Sequence, residues 1–259
     1  MKITSWNVNS LNVRLDQVLE WMQANEPDVL GLQETKLTDD KFPLDAFREI
    51  GYHAEFSGQP TYNGVALLSR QPGNDIVRNI PAFDDPHKRT IAGTFNGVRV
   101  INLYVVNGKA VGDEKYDWKL QWLEAVTRWI GLERSQHERL AVIGDFNIAP
   151  DDRDVHDPDA WKDQILCSEP ERKALQNILD LGLHDSYRFF DQPEREYSWY
   201  DYRQMAFRRK MGLRIDLCLV SDALKDTCVA STIDLEPRRN ERPSDHAPVT
   251  VEVALDSFR

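Results

Sequence analysis

The sequence predicts an α/β fold in which two mixed or antiparallel β-sheets pack face to face with helices outside them. Three observations carry that expectation. Apolar runs of strand length recur from one end of the chain to the other. Stretches at helical spacing stand between several of them, which makes strand–helix–strand units. The pair Asn96-Gly97 sits between two further runs and marks an antiparallel hairpin, which does not belong in a doubly wound parallel sheet.

The elements follow in order. Residues 2–6 read as a strand. Leu15, Val18, Leu19 and Met22 recur at helical spacing, and Pro27 closes that helix. Residues 28–32 are a buried strand that ends at Gln33-Glu34, and residues 64–69 are another. Segments 90–95 and 99–104 flank the Asn96-Gly97 turn. Trp122, Val126, Trp129 and Ile130 mark a second amphipathic helix, and the short apolar strand 140–143 stops at Gly144-Asp145. A third helix is expected over 171–181, with strands at 214–220 and 249–255. Glu34 and Asp145 each follow a strand–helix–strand stretch, which hints at two similar halves meeting at one site. No repeat, low-complexity tract or flexible linker is visible, so residues 1–255 are expected to form a single domain with 256–259 as a short tail.

A chain of 259 residues can bury a substantial core, and 41% hydrophobic with 29% charged residues is ordinary for a soluble globular protein. No stretch approaches the ~20 apolar residues of a membrane span. The first residues run into a strand pattern without the apolar core of a signal peptide. Cys167, Cys218 and Cys228 are odd in number and lack metal spacing, so free thiols in a reducing cytoplasm are expected.

The net charge of −11 argues against a nucleic-acid partner. Two features oppose that argument. A cation site needs several acids, and the basic residues are clustered. Residues 203–214 hold Arg203, Arg208, Arg209, Lys210 and Arg214 with no acid among them, and Arg238, Arg239 and Arg242 form a second group. The acidic stretch 151–163 is expected to point away from any phosphate backbone. A plain solvated face is the competing account of the first cluster.

The polar residues at strand ends carry the chemistry. Glu34 and Asp245 are natural ligands for a hard cation, Mg²⁺ or Mn²⁺. Asn7, at the end of the first strand, can add a carbonyl ligand or orient Glu34. Asp145 is suited to orient or deprotonate a water, with Asn147 two residues on facing the same way and donating to a phosphate oxygen. His246 can donate to the phosphate or act as base. Its expected partner is Asp216, an acid between Ile215 and Leu217 that should not be buried unpaired. Tyr104 can place its phenol near the phosphate. Singly, each has an ordinary account: Asn7 as a turn former, 144–147 as an Asx turn, Asp216 salt-bridged to an arginine, Tyr104 as a core aromatic. Together they point to metal-dependent hydrolysis of a phosphodiester.

Seven motifs run from Ser5-Trp6-Asn7-Val8-Asn9 and Leu32-Gln33-Glu34-Thr35-Lys36 through Asn63-Gly64-Val65-Ala66 and Gly144-Asp145-Phe146-Asn147-Ile148-Ala149-Pro150. They continue with Tyr197-Ser198-Trp199-Tyr200-Asp201-Tyr202-Arg203, Gly212-Leu213-Arg214-Ile215-Asp216 and Arg242-Pro243-Ser244-Asp245-His246-Ala247-Pro248. In these the chain resembles the exonuclease III family of DNA-repair nucleases, within the endonuclease/exonuclease/phosphatase superfamily, over nearly its whole length. The resemblance implies a four-layered α/β sandwich, and a metal held by Asn7, Glu34 and Asp245. It implies that Asp145 and Asn147 serve the nucleophile or a second metal, that His246 pairs with Asp216, and that Tyr104 lies beside the phosphate. It assigns Arg89 and Asn107 to DNA phosphates, groups Asn63 with the DNA contacts, and makes Trp199, Leu213 and Ile215 the pocket for a 3′-terminal or abasic sugar. Arg208 and Arg209 are expected on the phosphate backbone.

Two departures stand out. Val105-Val106-Asn107-Gly108 lacks the proline usual before the polar residue. Leu166 stands where members active on abasic sites tend to carry Gly or Ser, so 3′-end processing should dominate over abasic incision. The implied partner is double-stranded DNA with nicks, 3′ blocks or abasic sites, met by a monomer in the bacterial cytoplasm or nucleoid. The rival readings are a superfamily phosphatase acting on a small phosphorylated or lipid substrate, and an inactive DNA-end binding module. The first gives no reason for the aromatic and arginine segment 199–214, and the second would have lost a ligand.

Overall fold

The structure, a computed structural model, describes residues 1–255. The expected tail at 256–259 lies outside the described residues. The first half of the chain carries β1 (Lys2–Asn7), α1 (Leu11–Asn25), β2 (Val29–Gln33), α2 (Leu44–Glu49), β3 (His53–Ser57), β4 (Val65–Ser69), β5 (Asn74–Arg78), β6 (Thr90–Phe95), β7 (Val98–Tyr104) and α3 (Glu114–Gln136). The second half carries β8 (Leu140–Asp145), α4 (Pro158–Trp161), α5 (Glu169–Leu179), β9 (Leu183–Asp185), β10 (Trp199–Tyr200), β11 (Gly212–Leu213), β12 (Asp216–Ser221), α6 (Asp222–Lys225), β13 (Cys228–Ile233) and β14 (Val249–Val253).

Two six-stranded sheets result, ordered β13-β14-β1-β2-β4-β3 and β5-β6-β7-β8-β12-β9, with β10 and β11 as a separate ribbon. Each sheet has one parallel pair, β1 with β2 and β7 with β8, joined through α1 and α3 respectively. Antiparallel strands flank each parallel pair. The two halves therefore repeat one pattern, as the positions of Glu34 and Asp145 suggested.

Alternation along the strands builds the layers. Val29, Val65, Leu67, Val100, Ala141, Ile143 and Val251 meet between the sheets. On one outer face Leu30, Leu32, Ala66 and Leu68 take Val18, Trp21 and Met22 of α1 and Phe47 of α2. On the other, Ile101, Leu103, Val142 and Leu219 take Trp122, Val126, Trp129 and Ile130 of α3. Three apolar layers between four layers of structure make the sandwich that was expected.

The sheets pack closely at Gly31, where a Cβ would stand 2.8 Å from Ile143 Cδ1 and 2.9 Å from Asn102 Cγ. Beside it, Asn102 of β7 crosses to the other sheet. Its Nδ2 donates to Leu32 O and Ala66 O at 2.9 Å each, and its Oδ1 accepts from Gln33 Nε2 at 2.6 Å. A buried amide so fully paired adds register to a contact that apolar packing alone leaves free to slide.

The hairpin, the two strand–helix–strand units and the first two long helices lie where the pattern puts them. Asn96 and Gly97 take φ of 51° and 77°, the double left-handed geometry of a tight hairpin. Several expectations change. The third helix begins at Glu169 because Ser168 and Glu171 form a capping box with Pro170 in the first turn. The strand expected from 214 begins at Asp216, because Arg214 is used otherwise. The strand expected over 249–255 ends at Val253. The strands β3, β5, β9, β10, β11 and β13 and the short helices α2, α4 and α6 went unread, since edge strands are half exposed and elements this short show no clean period.

Candidate active site

Parallel pairing sends the C-terminal ends of β1 and β2 one way, and of β7 and β8 likewise. Asn7 ends β1, Glu34 follows β2, Tyr104 ends β7 and Asp145 ends β8. Asp216, the first residue of antiparallel β12, sits opposite Asp145 in register, as Tyr104 does on the other side. His246 precedes β14 and forms a bridge with Trp199. Residues from distant parts of the chain thus collect at one end of both sheets.

Asn7 is the hinge of the cluster. Its Nδ2 donates to Glu34 Oε1 and to Asp145 Oδ2 at 2.9 Å each. Its Oδ1 accepts the Asn9 N–H at 3.0 Å. Through these bonds Asn7 holds the Glu34 and Asp145 carboxylates side by side. Asp145 Oδ1 accepts the Asn147 N–H at 2.9 Å, so both carboxylate oxygens are held. His246 Nδ1 lies 2.8 Å from Asp216 Oδ2, and its Nε2 lies 3.7 Å from Asp145 Oδ2. Burial pushes the Asp145 carboxyl up to about 7, against the pull of His246. Burial also works against charge on His246, yet Asp216 and Asp145 carry its imidazole up to about 10. The two flanking carboxylates thus favour a charged imidazole.

Two serines, neither singled out by sequence, knot the strands together. Ser244 Oγ donates to Asn7 O at 2.6 Å and accepts the His246 N–H at 3.2 Å. Ser198 Oγ accepts the Ile215 and Asp216 N–H groups at 3.0 Å each. Both lie inside motifs already quoted, but nothing about a serine in sequence says which strand it ties.

Glu34, Asp145 and His246 place ligand-type atoms within 4.8 Å of one another. This oxygen-rich donor set without a thiolate fits a hard divalent cation. Asp245 stands beside that group, where its Oδ1 accepts from Asn9 Nδ2 and its Oδ2 from Trp199 Nε1, both at 3.0 Å. The loops here are held in uncommon conformations: Asn9, Glu34, Lys36, Asn63, Asn147 and Leu166 have φ between 43° and 72°. Such strain, of order 1–3 kcal/mol each, persists only where the surroundings over-determine it. Here Gly64, at φ 90°, backs onto Thr35 Oγ1, which a Cβ would meet at 2.2 Å. Asn63 is buried, and its carbonyl accepts the Lys36 N–H at 2.9 Å.

Around this centre the other candidates fall into groups. Tyr104 is half-buried under the Arg89 guanidinium, 4.9 Å from its ring centroid. Burial, then the charges of Glu34 and Asp145, holds its phenol well above the usual range, so it stays protonated. Asn147 Oδ1 accepts from Asn107 Nδ2 at 3.1 Å. Beneath both loops, fully buried Lys119 donates to Asn147 O at 2.7 Å and Asn107 O at 3.1 Å, and pairs with Glu171. Glu171 Oε1 in turn accepts the Leu166 N–H at 3.1 Å. Lys119 reads in sequence as one more helix lysine, and only its burial reveals the strut.

Leu166 is not at a pocket rim. It is buried, packed with Leu213, Ile215, Ala149 and Val155, and half-buried Trp199 packs against the same cluster. The basic segment also divides. Arg208 and Arg209 are exposed, but Arg214 is 1% exposed, with Nε donating to Asp154 at 2.7 Å and a second nitrogen to Asp185 at 2.6 Å. Arg203 is bound to Asp201 at 2.8 Å, and Arg238 is buried against Ser244 O and the Phe207 ring. Arg214 and Arg238 are thus structural, because a buried cation must have its partners. The acids at 151–154 pair with Arg153, Arg172, Arg188 and Arg214 rather than standing as a free negative face.

Known proteins resemble the chain in sequence and in fold. Residues 4–246 match the Endonuclease/Exonuclease/phosphatase family. The exodeoxyribonuclease III of Haemophilus influenzae is 36% identical, over 97% of this chain and 99% of its own. A structure of the 3′ phosphatase NExo from Neisseria, bound to a product DNA hairpin, superposes with a TM-score of 0.97 at 51% identity, covering 98% of this chain and 100% of that one. An AP endonuclease from Archaeoglobus fulgidus superposes at 0.94 with 38% identity, over 98% and 100% of the two chains. The match in sequence and in fold runs through every strand that supplies the site, and the chain belongs to the endonuclease/exonuclease/phosphatase family.

Proposed function

We propose that the chain is an exodeoxyribonuclease III-type DNA-repair nuclease acting on double-stranded DNA. Its activities would be 3′→5′ exonuclease and 3′-phosphatase or phosphodiesterase, with weaker incision at abasic sites. The observation that carries this is the meeting of Asp145, His246 and Glu34 beside the apolar wall of Leu166, Leu213, Ile215 and Trp199. A charged hydrolytic centre next to a buried apolar wall suits a phosphate attached to a sugar. The exposed Tyr202 and Met205, on the same loop as Arg208 and Arg209, favour DNA over a small or lipid phosphate. All the site carboxylates and the imidazole are in place, which speaks against an inactive binding module.

Glu34, Asp145 and Asp245, with Asn7 and Asn147, would hold the cation, Mg²⁺ or Mn²⁺, which when bound neutralises phosphate charge and makes water more acidic. Asp145, oriented by Asn7 and by the Asn147 N–H, accepts the proton of the attacking water. A carboxyl near neutrality is suited to that task. His246, kept charged by Asp216, donates to a phosphate oxygen from Nε2. Tyr104 offers a phenolic proton from the other side, while Arg89, Asn107 and Asn63 line the path of the DNA phosphates. We further propose that residues 1–255 form one domain and act as a monomer in the bacterial cytoplasm. No helix of the described residues is long and apolar enough to cross a membrane.

The test is a gel assay on nicked, 3′-phosphate and abasic duplexes with and without Mg²⁺. Cleavage of none of them in Mg²⁺ would reject the proposal. Substrate range turns on Leu166. Flipping an internal abasic sugar out of an intact duplex demands more room than admitting a frayed 3′ end. Leu166 is packed inside the apolar wall rather than at its rim, so shortening it would give that wall room to yield. It sits at φ 72°, a conformation glycine takes without strain. Leu166→Gly is therefore expected to fold and to raise abasic incision about tenfold or more over exonuclease activity. An unchanged ratio of the two rates would remove the steric account.

Binding should depend on salt through the exposed arginines. Replacing Arg208 and Arg209 together by Ala should reduce the slope of log K against log salt by about two, near one per lost phosphate contact. A slope equal to that of the unaltered protein would make this cluster a solvated face.

A further inference from the structure

The carboxylate of Glu34 already carries a cation. Lys36 Nζ stands 3.1 Å from Glu34 Oε2 and donates to Asn9 Oδ1 at 2.6 Å. Residues two apart in a regular strand share a face but not a carboxylate. Here Glu34 and Lys36 both take left-handed backbone, at φ 52° and 55°, which folds the two side chains together. That backbone is held: Ser10 N donates to Glu34 O at 2.8 Å and Lys36 N to Asn63 O at 2.9 Å. The pair is also largely withdrawn from solvent, with side chains 18% and 25% exposed, so water screens it less than a surface pair.

An ammonium and a divalent ion compete for the same oxygens. Glu34 Oε1 is taken by Asn7 Nδ2, so Oε2 is where the competition falls. We propose that Lys36 is a built-in counter-ion of the cation site, holding Glu34 in place when no divalent ion is bound and lowering the affinity of the site for that ion. Asn9 gives the displaced ammonium a tether. Its Oδ1 keeps Nζ while its Nδ2 donates to Asp245 Oδ1 at 3.0 Å, so Lys36 moves off Glu34 without leaving the site. The lysine then acts through Glu34 as a positioning residue. It also keeps Glu34 and Asp145, which share the Asn7 amide, from facing each other uncompensated.

The inference rests on the reading that Glu34 holds a divalent cation. The experiment is direct titration with Mn²⁺, reading the free ion by electron paramagnetic resonance, so that no turnover is involved. Lys36→Met is expected to bind Mn²⁺ about tenfold more tightly, the size of freeing Glu34 Oε2 from one competing ion pair in a partly buried site. Lys36→Gln should do the same, and Lys36→Arg should stay within a few-fold of the unaltered protein. In a Glu34→Gln background, which should itself weaken binding, Lys36→Met should lose most of its effect. A lysine that only props the loop would give equal or weaker binding when removed, and that result with Glu34→Gln still weakened overturns the proposal alone. Unchanged Mn²⁺ binding in Glu34→Gln would overturn the cation reading and the inference with it.

Discussion

Asp145→Asn is expected to lower the rate constant for 3′-end hydrolysis by about three orders of magnitude or more while leaving DNA affinity within a few-fold. The shape of the side chain is kept, so the fold should be too. What changes is the charge and one acceptor. Asp145 accepts two hydrogen bonds, from Asn7 Nδ2 and from the Asn147 N–H. An amide answers only one of them with oxygen and points an NH₂ at the other donor. It also removes the negative charge opposite His246 Nε2 and the group able to take a proton from water. In the proposed function DNA affinity rests elsewhere, on the exposed arginines and on the apolar wall, so binding and turnover should separate. Single-turnover rates with saturating enzyme, beside a filter or anisotropy titration, measure the two. Turnover near that of the unaltered protein would sink the role given to Asp145.

Chelation of divalent ions should remove hydrolysis to the detection limit, and Mg²⁺ or Mn²⁺ should restore it. The structural reason is the density of negative charge: Glu34, Asp145, Asp216 and Asp245 converge on one end of two sheets, and the neutralising groups of the chain itself are His246 and Lys36. Ion binding should also show without substrate. A cation at 100 times its dissociation constant stabilises the folded protein by about 2.7 kcal/mol, which for a chain of this size raises Tm by several degrees. Glu34→Gln should erase most of that shift. Full activity in chelator, or a Tm indifferent to Mg²⁺, would contradict the cation site.

Much of this site is legible in the sequence. Glu34, Asp145, Asp216, Asp245 and His246 announced themselves because a charged or titratable residue beside an apolar run violates the local pattern, and such violations concentrate where function overrides packing. The Asp216–His246 pair was readable for a related reason: a carboxylate inside a buried strand requires a partner. The fold was legible through period-two runs, two amphipathic helices and the Asn96-Gly97 turn.

What remained hidden was whatever depends on which side of a surface a residue falls. Arg208, Arg209 and Arg214 look alike in a basic run, yet the first two meet solvent and the third closes a buried ion network with Asp154 and Asp185. Lys119 sits among ordinary helix residues and turns out to brace Asn107, Asn147 and, through Glu171, Leu166. Leu166 drew notice as a departure from a pattern, but its burial and left-handed backbone are properties of the loop between Ala149 and α5. Sequence by itself determined the central strands, the two long helices and the inventory of chemical groups, because those follow from periodicity and from the cost of burying charge. The tertiary structure alone decided which carboxylates flank His246, which arginine is structural and which strand ends meet, since distances between residues remote in the chain exist only once the two sheets have closed.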